Sequence, residues 1–318
     1  MPSRTSIWAA AARAIGAREP DPRVRNPDYL AEKLLGPDEL AVLGDHPLVG
    51  ALAEPYTETI NKPELLGGAR ILIPRTRFID DRLMSAIDDG VSQLVILGAG
   101  FDSRAYRFRD RLRDVRVFEV DHPDTQQWKM RRVKDAIGDL PHHVTYLPVD
   151  FKTDHLGDAL AHAGYRADRK TFAIWEGVTM YLPGEAVRDV LRWFASNAAP
   201  GSVIIFDYAY ESVVRMFDSI DPDKLDEQQR QGLMRFRRLT AGEPWLFGLP
   251  DRQEEEFLHD LGLELRKVMG MNSAEAVETY LTRADGTIFG AVPAMDRQGY
   301  LILEARVSAQ ASASPIPR

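Results

Sequence analysis

Five short apolar runs constrain this chain most. They are Gln93–Gly98, Arg116–Asp121, Val144–Phe151, Thr171–Trp175 and Ser202–Tyr208. Where apolar residues stand at successive positions, both faces of the resulting strand must be covered. Helical patterns separate the runs. Val187, Val190, Leu191 and Phe194 form one stripe after Pro183, and Met130, Val133 and Ile137 form another after the second run. Strands covered on both sides and alternating with helices predict a doubly wound α/β domain. Towards the end, Phe257, Leu258 and Leu261 predict a helix stopped by Gly262. Glu264–Val268 and Tyr300–Val307 then predict two more strands. Residues 1–75 and 211–250 lie outside this pattern. They are read as a helical N-terminal cap and a lid insertion over the ligand edge of a domain spanning 76–307. The segment 308–318, rich in Ala, Ser and Pro, reads as a disordered tail.

Composition narrows the functions. The 318 residues carry 40 Lys and Arg against 48 Asp and Glu, a net charge of −8, which argues against nucleic acid as the main ligand. There is no cysteine, so disulfides, thiolate metal sites and Cys nucleophiles are excluded. No H-E-x-x-H spacing appears, and no metal is expected. Apolar runs such as Val203–Phe206 and Leu94–Leu97 fall far short of the ~20 residues that cross a bilayer. A cytoplasmic protein with neither nucleic acid nor membrane as partner is expected.

The sharpest local signal is Leu97-Gly98-Ala99-Gly100-Phe101-Asp102-Ser103-Arg104. It follows a strand and leads into a helix. Glycine lacks Cβ, so such a turn can bend sharply and approach a ligand beyond the strand ends. A dinucleotide fingerprint would place Gly or Ala where Ser103 stands, and Asp102 would oppose a pyrophosphate. A cationic nucleoside without phosphate suits the turn better, and S-adenosylmethionine is one. Asp121, 21 residues after Gly100, ends the second strand, where a carboxylate can accept both ribose hydroxyls. Asp150 ends the third strand and could take the adenine amine, with Phe151 over the base. Glu176 closes the fourth and could face the ammonium or sulfonium end. Each has a bland alternative: a helix cap for Asp121, a turn residue for Asp150, a surface salt bridge for Glu176. Together they describe an acidic rim.

Four motifs in order, Arg75–Asp81, Leu94–Tyr106, Phe118–Pro123 and Trp175–Pro183, resemble the leucine carboxyl methyltransferase family. The likeness is greatest to its bacterial branch with polyketide O-methyltransferases. It implies a class I methyltransferase (Rossmann-like) fold: a mostly parallel seven-stranded sheet with helices on both faces, using S-adenosylmethionine. It also implies cofactor contacts from Arg77 (or Arg75) to the carboxylate, from Gly98 and Gly100 to the methionine portion, from Asp121 to the ribose, from Asp150 and Phe151 to the adenine, and from Glu176 near the amino end.

The expected reaction is methyl transfer to a carboxylate of a small-molecule acceptor such as a polyketide. A carboxylate is ionised at neutral pH and needs no base, whereas a phenol, with a pKa of about 10, does. None of the seven histidines falls inside the Gly98 or Glu176 motifs, which favours the carboxylate over a hydroxyl. No catalytic residue is assigned. Tyr181, Tyr208, Tyr210, Arg215 and Trp245 are the candidates for acceptor contact. An NAD-dependent oxidoreductase and a non-catalytic nucleoside-binding module are the competing readings.

Overall fold

The computed structural model describes residues 3–59, 62–151, 153–290 and 299–308. The expected tail lies, from 309 on, outside the described residues. Seven strands form one sheet: β1 Gln93–Leu97, β2 Arg116–Asp121, β3 Val144–Pro148, β4 Thr171–Trp175, β5 Val203–Ala209, β6 Leu263–Gly270 and β7 Tyr300–Val307. Their order across the sheet is β3-β2-β1-β4-β5-β7-β6. The first five pair in parallel, and β7 runs antiparallel to both of its neighbours. The expected class I methyltransferase fold is present.

The double apolar faces of the strands have a direct structural use. On β1, Leu94 and Ile96 enter one hydrophobic cluster, while Val95 and Leu97 enter the other. Phe172 and Ile174 against Ala173 and Trp175 divide β4 in the same way. The sheet is therefore a wall between two cores, with helices covering each side.

Three expectations change. The boundary expected at residue 75 falls inside one continuous helix, Pro63–Asp88. The first helix, Arg4–Ala17, shares a single hydrophobic cluster with that long helix and with β1. The N-terminal segment is thus part of the domain's core and not a separate cap. Third, the helix Pro123–Ile137 buries Thr125, Gln126, Lys129 and Val133; of the expected stripe Val133 is buried and Ile137 packs half-buried against the core, but Met130 does not join them. The 211–250 segment forms two helices, Glu211–Ser219 and Glu227–Leu239, followed by a loop that pairs Leu249 with Tyr210. Among the described residues, no helix is long and apolar enough to cross a membrane.

Candidate active site

The strand order reverses between β1 and β4, and a crevice opens beyond their carboxyl ends, as expected of such sheets. There the structure has a cavity of about 720 Å³. Gly98, Gly100, Asp121, Asp150, Phe151 and Glu176 all line it, as do Tyr181 and Trp245. Its two ends differ. Strand ends and the glycine turn make one end polar. The 211–250 segment makes the other largely apolar, with Val213, Phe217, Leu233, Phe236 and Trp245 in its wall, and the first helix runs along the cavity with Ser6 beside Gly100.

The glycine turn depends on missing side chains. Gly98 has φ +63° and Gly100 φ +44°, both in the left-handed region. A Cβ on Gly98 would overlap the Val178 side chain. The turn is fastened from below by Asp121. Its Oδ2 accepts the Gly100 N–H at 2.6 Å, and its Oδ1 accepts the His122 N–H at 2.7 Å. A carboxylate offers about four lone-pair sites. Two remain, one on each oxygen, which matches a pair of vicinal ribose hydroxyls. Burial pushes the Asp121 carboxyl above its usual range, against the pull of those two N–H bonds.

A buried arginine network lies beside this turn. Glu176 receives the Arg75 Nε at 2.7 Å on one oxygen and the Arg104 Nη1 at 2.6 Å on the other. Burial alone would raise its pKa. The guanidiniums of Arg104, Arg75 and Arg13 outweigh it and hold the carboxyl well below the usual range. Arg75 Nη1 also donates to Asp207 at 2.8 Å and to the Tyr300 hydroxyl at 2.7 Å. Among the described residues, Arg75 Nη2 has no protein partner. Arg13 gives Nε to Asp28 and Nη2 to the Phe101 carbonyl, both at 2.8 Å. Both arginines line the cavity, so a ligand carboxylate finds guanidinium donors there.

Arg77, expected to meet that carboxylate, is not at the cavity. It points to the chain's other side and donates to the Pro22 and Arg25 carbonyls. The reason is helical arithmetic: two residues apart is about 200° around the axis. Arg75 lies in line with Leu72, Ile79 and Leu83, all buried, and that spacing was the signal available in the sequence. Tyr208, Tyr210 and Arg215 are outside the cavity wall as well. Alternation along β5 sends Phe206 and Tyr208 into one core and Asp207 to the other face. The Tyr208 and Tyr210 hydroxyls both donate to Glu254, at 2.8 and 2.6 Å. Arg215 is exposed and pairs with Glu211 one turn back.

The first helix is the contribution that sequence reasoning missed. Ser3, Thr5, Ser6, Trp8 and Arg13 all line the cavity. Glu243, in the loop after the two inserted helices, takes the Thr5 hydroxyl at 2.7 Å and the Ser3 hydroxyl at 3.1 Å, both on Oε2. Trp245 stacks on Tyr300 with ring centroids 6.4 Å apart. Asp102, cited against a pyrophosphate, is paired with Arg104, so its charge is compensated within the protein. That repulsion no longer discriminates between cofactors. Among the described residues, no group of three or more His, Asp or Glu is arranged to hold a metal.

Comparison with known proteins separates what charge alone does not. YktD of Bacillus subtilis strain 168, a candidate S-adenosyl-L-methionine-dependent methyltransferase, is 32% identical over 221 residues, covering 66% of this chain and 72% of that one. A protein of the same description from Mycobacterium sp. strain JLS is 36% identical over 245 residues, covering 73% and 72%. A candidate methyltransferase from Thermobifida fusca, solved by crystallography, shares the fold at 18% identity and a TM-score of 0.53, covering 93% of this chain and 98% of that one. Residues 6–195, which carry the first helix, Arg75, the glycine turn, Asp121 and Glu176, match the leucine carboxyl methyltransferase model, and the chain belongs to that family.

Proposed function

We propose that the chain transfers the methyl group of S-adenosylmethionine to a carboxylate on a bulky, apolar small molecule of polyketide-like build, giving a methyl ester. The two-ended cavity carries this reading: a polar end built from the glycine turn and strand-end carboxylates opens into an aromatic chamber. The family supplies the coarse reaction, methyl transfer. When bound, the cofactor supplies a methyl group on a sulfonium and leaves as a neutral thioether. Asp121 holds the ribose hydroxyls with its two remaining acceptor sites. Asp150 and Phe151 take the adenine, and Arg75 with Arg13 takes the cofactor's carboxylate. The acceptor body packs among Phe217, Phe236, Trp245 and Tyr300, whose rings form a connected cluster. The inserted helices keep water from that chamber, so alignment and dryness supply the rate and no base is required.

One observation favours a second reading, methylation of a hydroxyl. Among the described residues, Glu243 Oε1 has no hydrogen-bond partner, and Glu243 lines the apolar end. It is placed to take a phenol's proton. Incubating the enzyme and S-adenosylmethionine with matched aromatic acids and phenols separates the two. Methyl esters are cleaved by mild alkali, whereas methyl ethers survive it. A product that gains one methyl and loses it in alkali supports the carboxylate. Alkali-stable products alone refute it.

A further inference from the structure

A second, smaller cavity of about 200 Å³ lies behind the apolar end of the large one. Arg4, Asp45, His46, Arg235 and Arg238 line it, together with Leu43, Pro47 and Leu239. Leu239 also lines the large cavity, and Arg4 is flanked by Ser3 and Thr5, which do the same. The first turn of the first helix and Leu239 thus form a partition between the two.

The charges in the small cavity do not cancel. Arg238 pairs with Asp45 at 3.3 Å, and Arg4 donates to the Arg238 carbonyl at 3.2 Å. Among the described residues, Arg235 has neither a carboxylate partner nor a hydrogen-bond acceptor, although it is half-buried. His46 Nδ1 accepts the Leu48 N–H at 3.2 Å, which fixes the ring as the helix cap of Pro47–Ala53. Burial, then the neighbouring Arg235 and Arg4, lowers the His46 pKa, so the ring is neutral at pH 7. Three guanidiniums against one carboxylate leave two positive charges over. Like charges brought together in a concave site repel one another unless an anion joins them.

We propose that this pocket binds a phosphate group, as a free dianion or as the head of a phosphate ester, through Arg4, Arg235 and Arg238. A phosphate monoester carries nearly two negative charges at neutral pH and several strong acceptor oxygens, which matches the excess. A carboxylate would leave one charge uncompensated. Occupancy joins Arg4 on the first helix to Arg235 and Arg238 on the helix Glu227–Leu239, two elements that flank the acceptor chamber. The site does not depend on the methyl-transfer reading.

The test uses the full chain and titrates inorganic phosphate and octyl phosphate against sodium chloride of matched ionic strength, by calorimetry and by hydrogen exchange. Saturable phosphate binding is expected, with slowed exchange in residues 4–17 and 227–239. Arg235→Gln weakens it about tenfold or more. Arg237→Gln removes the same charge from an exposed position on the same helix that does not line the pocket, and leaves phosphate binding unchanged. Equal affinity for both probes assigns the site to the free anion. Tighter octyl phosphate assigns it to the head of an apolar ligand. Absence of saturable binding, or equal affinity in wild type and Arg235→Gln, overturns the proposal.

Discussion

Asp121 can be tested by a change that separates cofactor binding from folding. Asp121→Asn keeps the shape of the side chain and removes its charge. In the folded chain each carboxylate oxygen accepts one backbone N–H, from Gly100 and His122. The amide keeps one oxygen and turns an NH2 towards the other donor. One bond is lost: the exposed His122 N–H can turn to water, whereas leaving the half-buried Gly100 N–H unpaired costs about 1–3 kcal/mol. The charge works in the opposite direction. Burial raises the Asp121 pKa above its ordinary value, so the native state binds that proton more tightly than the unfolded chain does. Its contribution to stability therefore declines as pH rises from the unfolded value of about 3.9 through the raised native value. At neutral pH the cost of the buried charge is fully present, and Asp121→Asn relieves it. The two effects oppose each other, and the unfolding free energy should change by no more than about 1 kcal/mol. Affinity has no such compensation. The ribose hydroxyls lose one acceptor site and the charge on the other, about 1.5–3 kcal/mol, or 10- to 150-fold in Kd. Calorimetry with S-adenosylhomocysteine and urea unfolding of the same samples measure both quantities. Affinity within twofold of wild type removes Asp121 from the site. A loss of affinity matched by an equal loss of stability refutes the argument that the two roles are separate.

Arg75→Gln should destabilise the fold by about 3–5 kcal/mol, because it leaves buried Asp207 without a cation and Glu176 with Arg104 alone, and it should lower the urea midpoint accordingly. Arg77→Ala, two residues on and outside the cavity, should leave S-adenosylhomocysteine affinity within twofold; a large loss there would restore Arg77 to the site. Gly98→Ala adds about 1–2 kcal/mol of left-handed backbone strain and pushes Val178 into the cavity. Cofactor affinity should fall at least tenfold, and an unchanged Kd would show that the turn tolerates a side chain.

The strands were legible because a sheet buried on both faces writes itself as unbroken apolar runs. Arg116–Asp121, Thr171–Trp175 and Tyr300–Val307 coincide with the observed β2, β4 and β7, and the other four runs overlap their strands with ends shifted. The carboxylates at the strand ends were legible for a related reason. A parallel sheet delivers every strand terminus to the same edge, so position along the strand is enough to bring Asp121, Asp150 and Glu176 to one cavity. Side-chain direction was not legible from strand membership alone. Tyr208 stands on the last strand before the lid, yet the twofold alternation of β5 turns it away from the cavity and towards Glu254. The first helix left no signal of its own, since its Ala-rich face looks like ordinary core. Its cavity role comes from Ser3, Thr5 and Ser6 in one half-buried turn, and from Trp8 and Arg13 beyond it.

The remaining misses share a cause, and it bears on how the site is held. An apolar stripe finds buried hydrocarbon and cannot find buried charge. In the helix Pro123–Ile137 the inward position is Lys129, not Met130, and its ammonium lies 2.8 Å from Glu119 with both side chains 1% exposed. An ion pair taken out of water on this scale is poor value for stability alone, since desolvation offsets most of the attraction. Its location supplies the other half of the account. Lys129 Nζ reaches towards the Ala99 carbonyl at 3.5 Å, in the middle of the glycine turn, and its charge opposes the burial penalty on Asp121. Arg75 and Arg104 occupy the same relation to Glu176. Sequence rules failed at Lys129 and ranked Arg77 ahead of Arg75, because these positions trade hydrophobic packing for fixed charges beneath a polar cavity end. A turn of small residues has no side chains with which to hold its own shape, and buried cations placed behind it do that work.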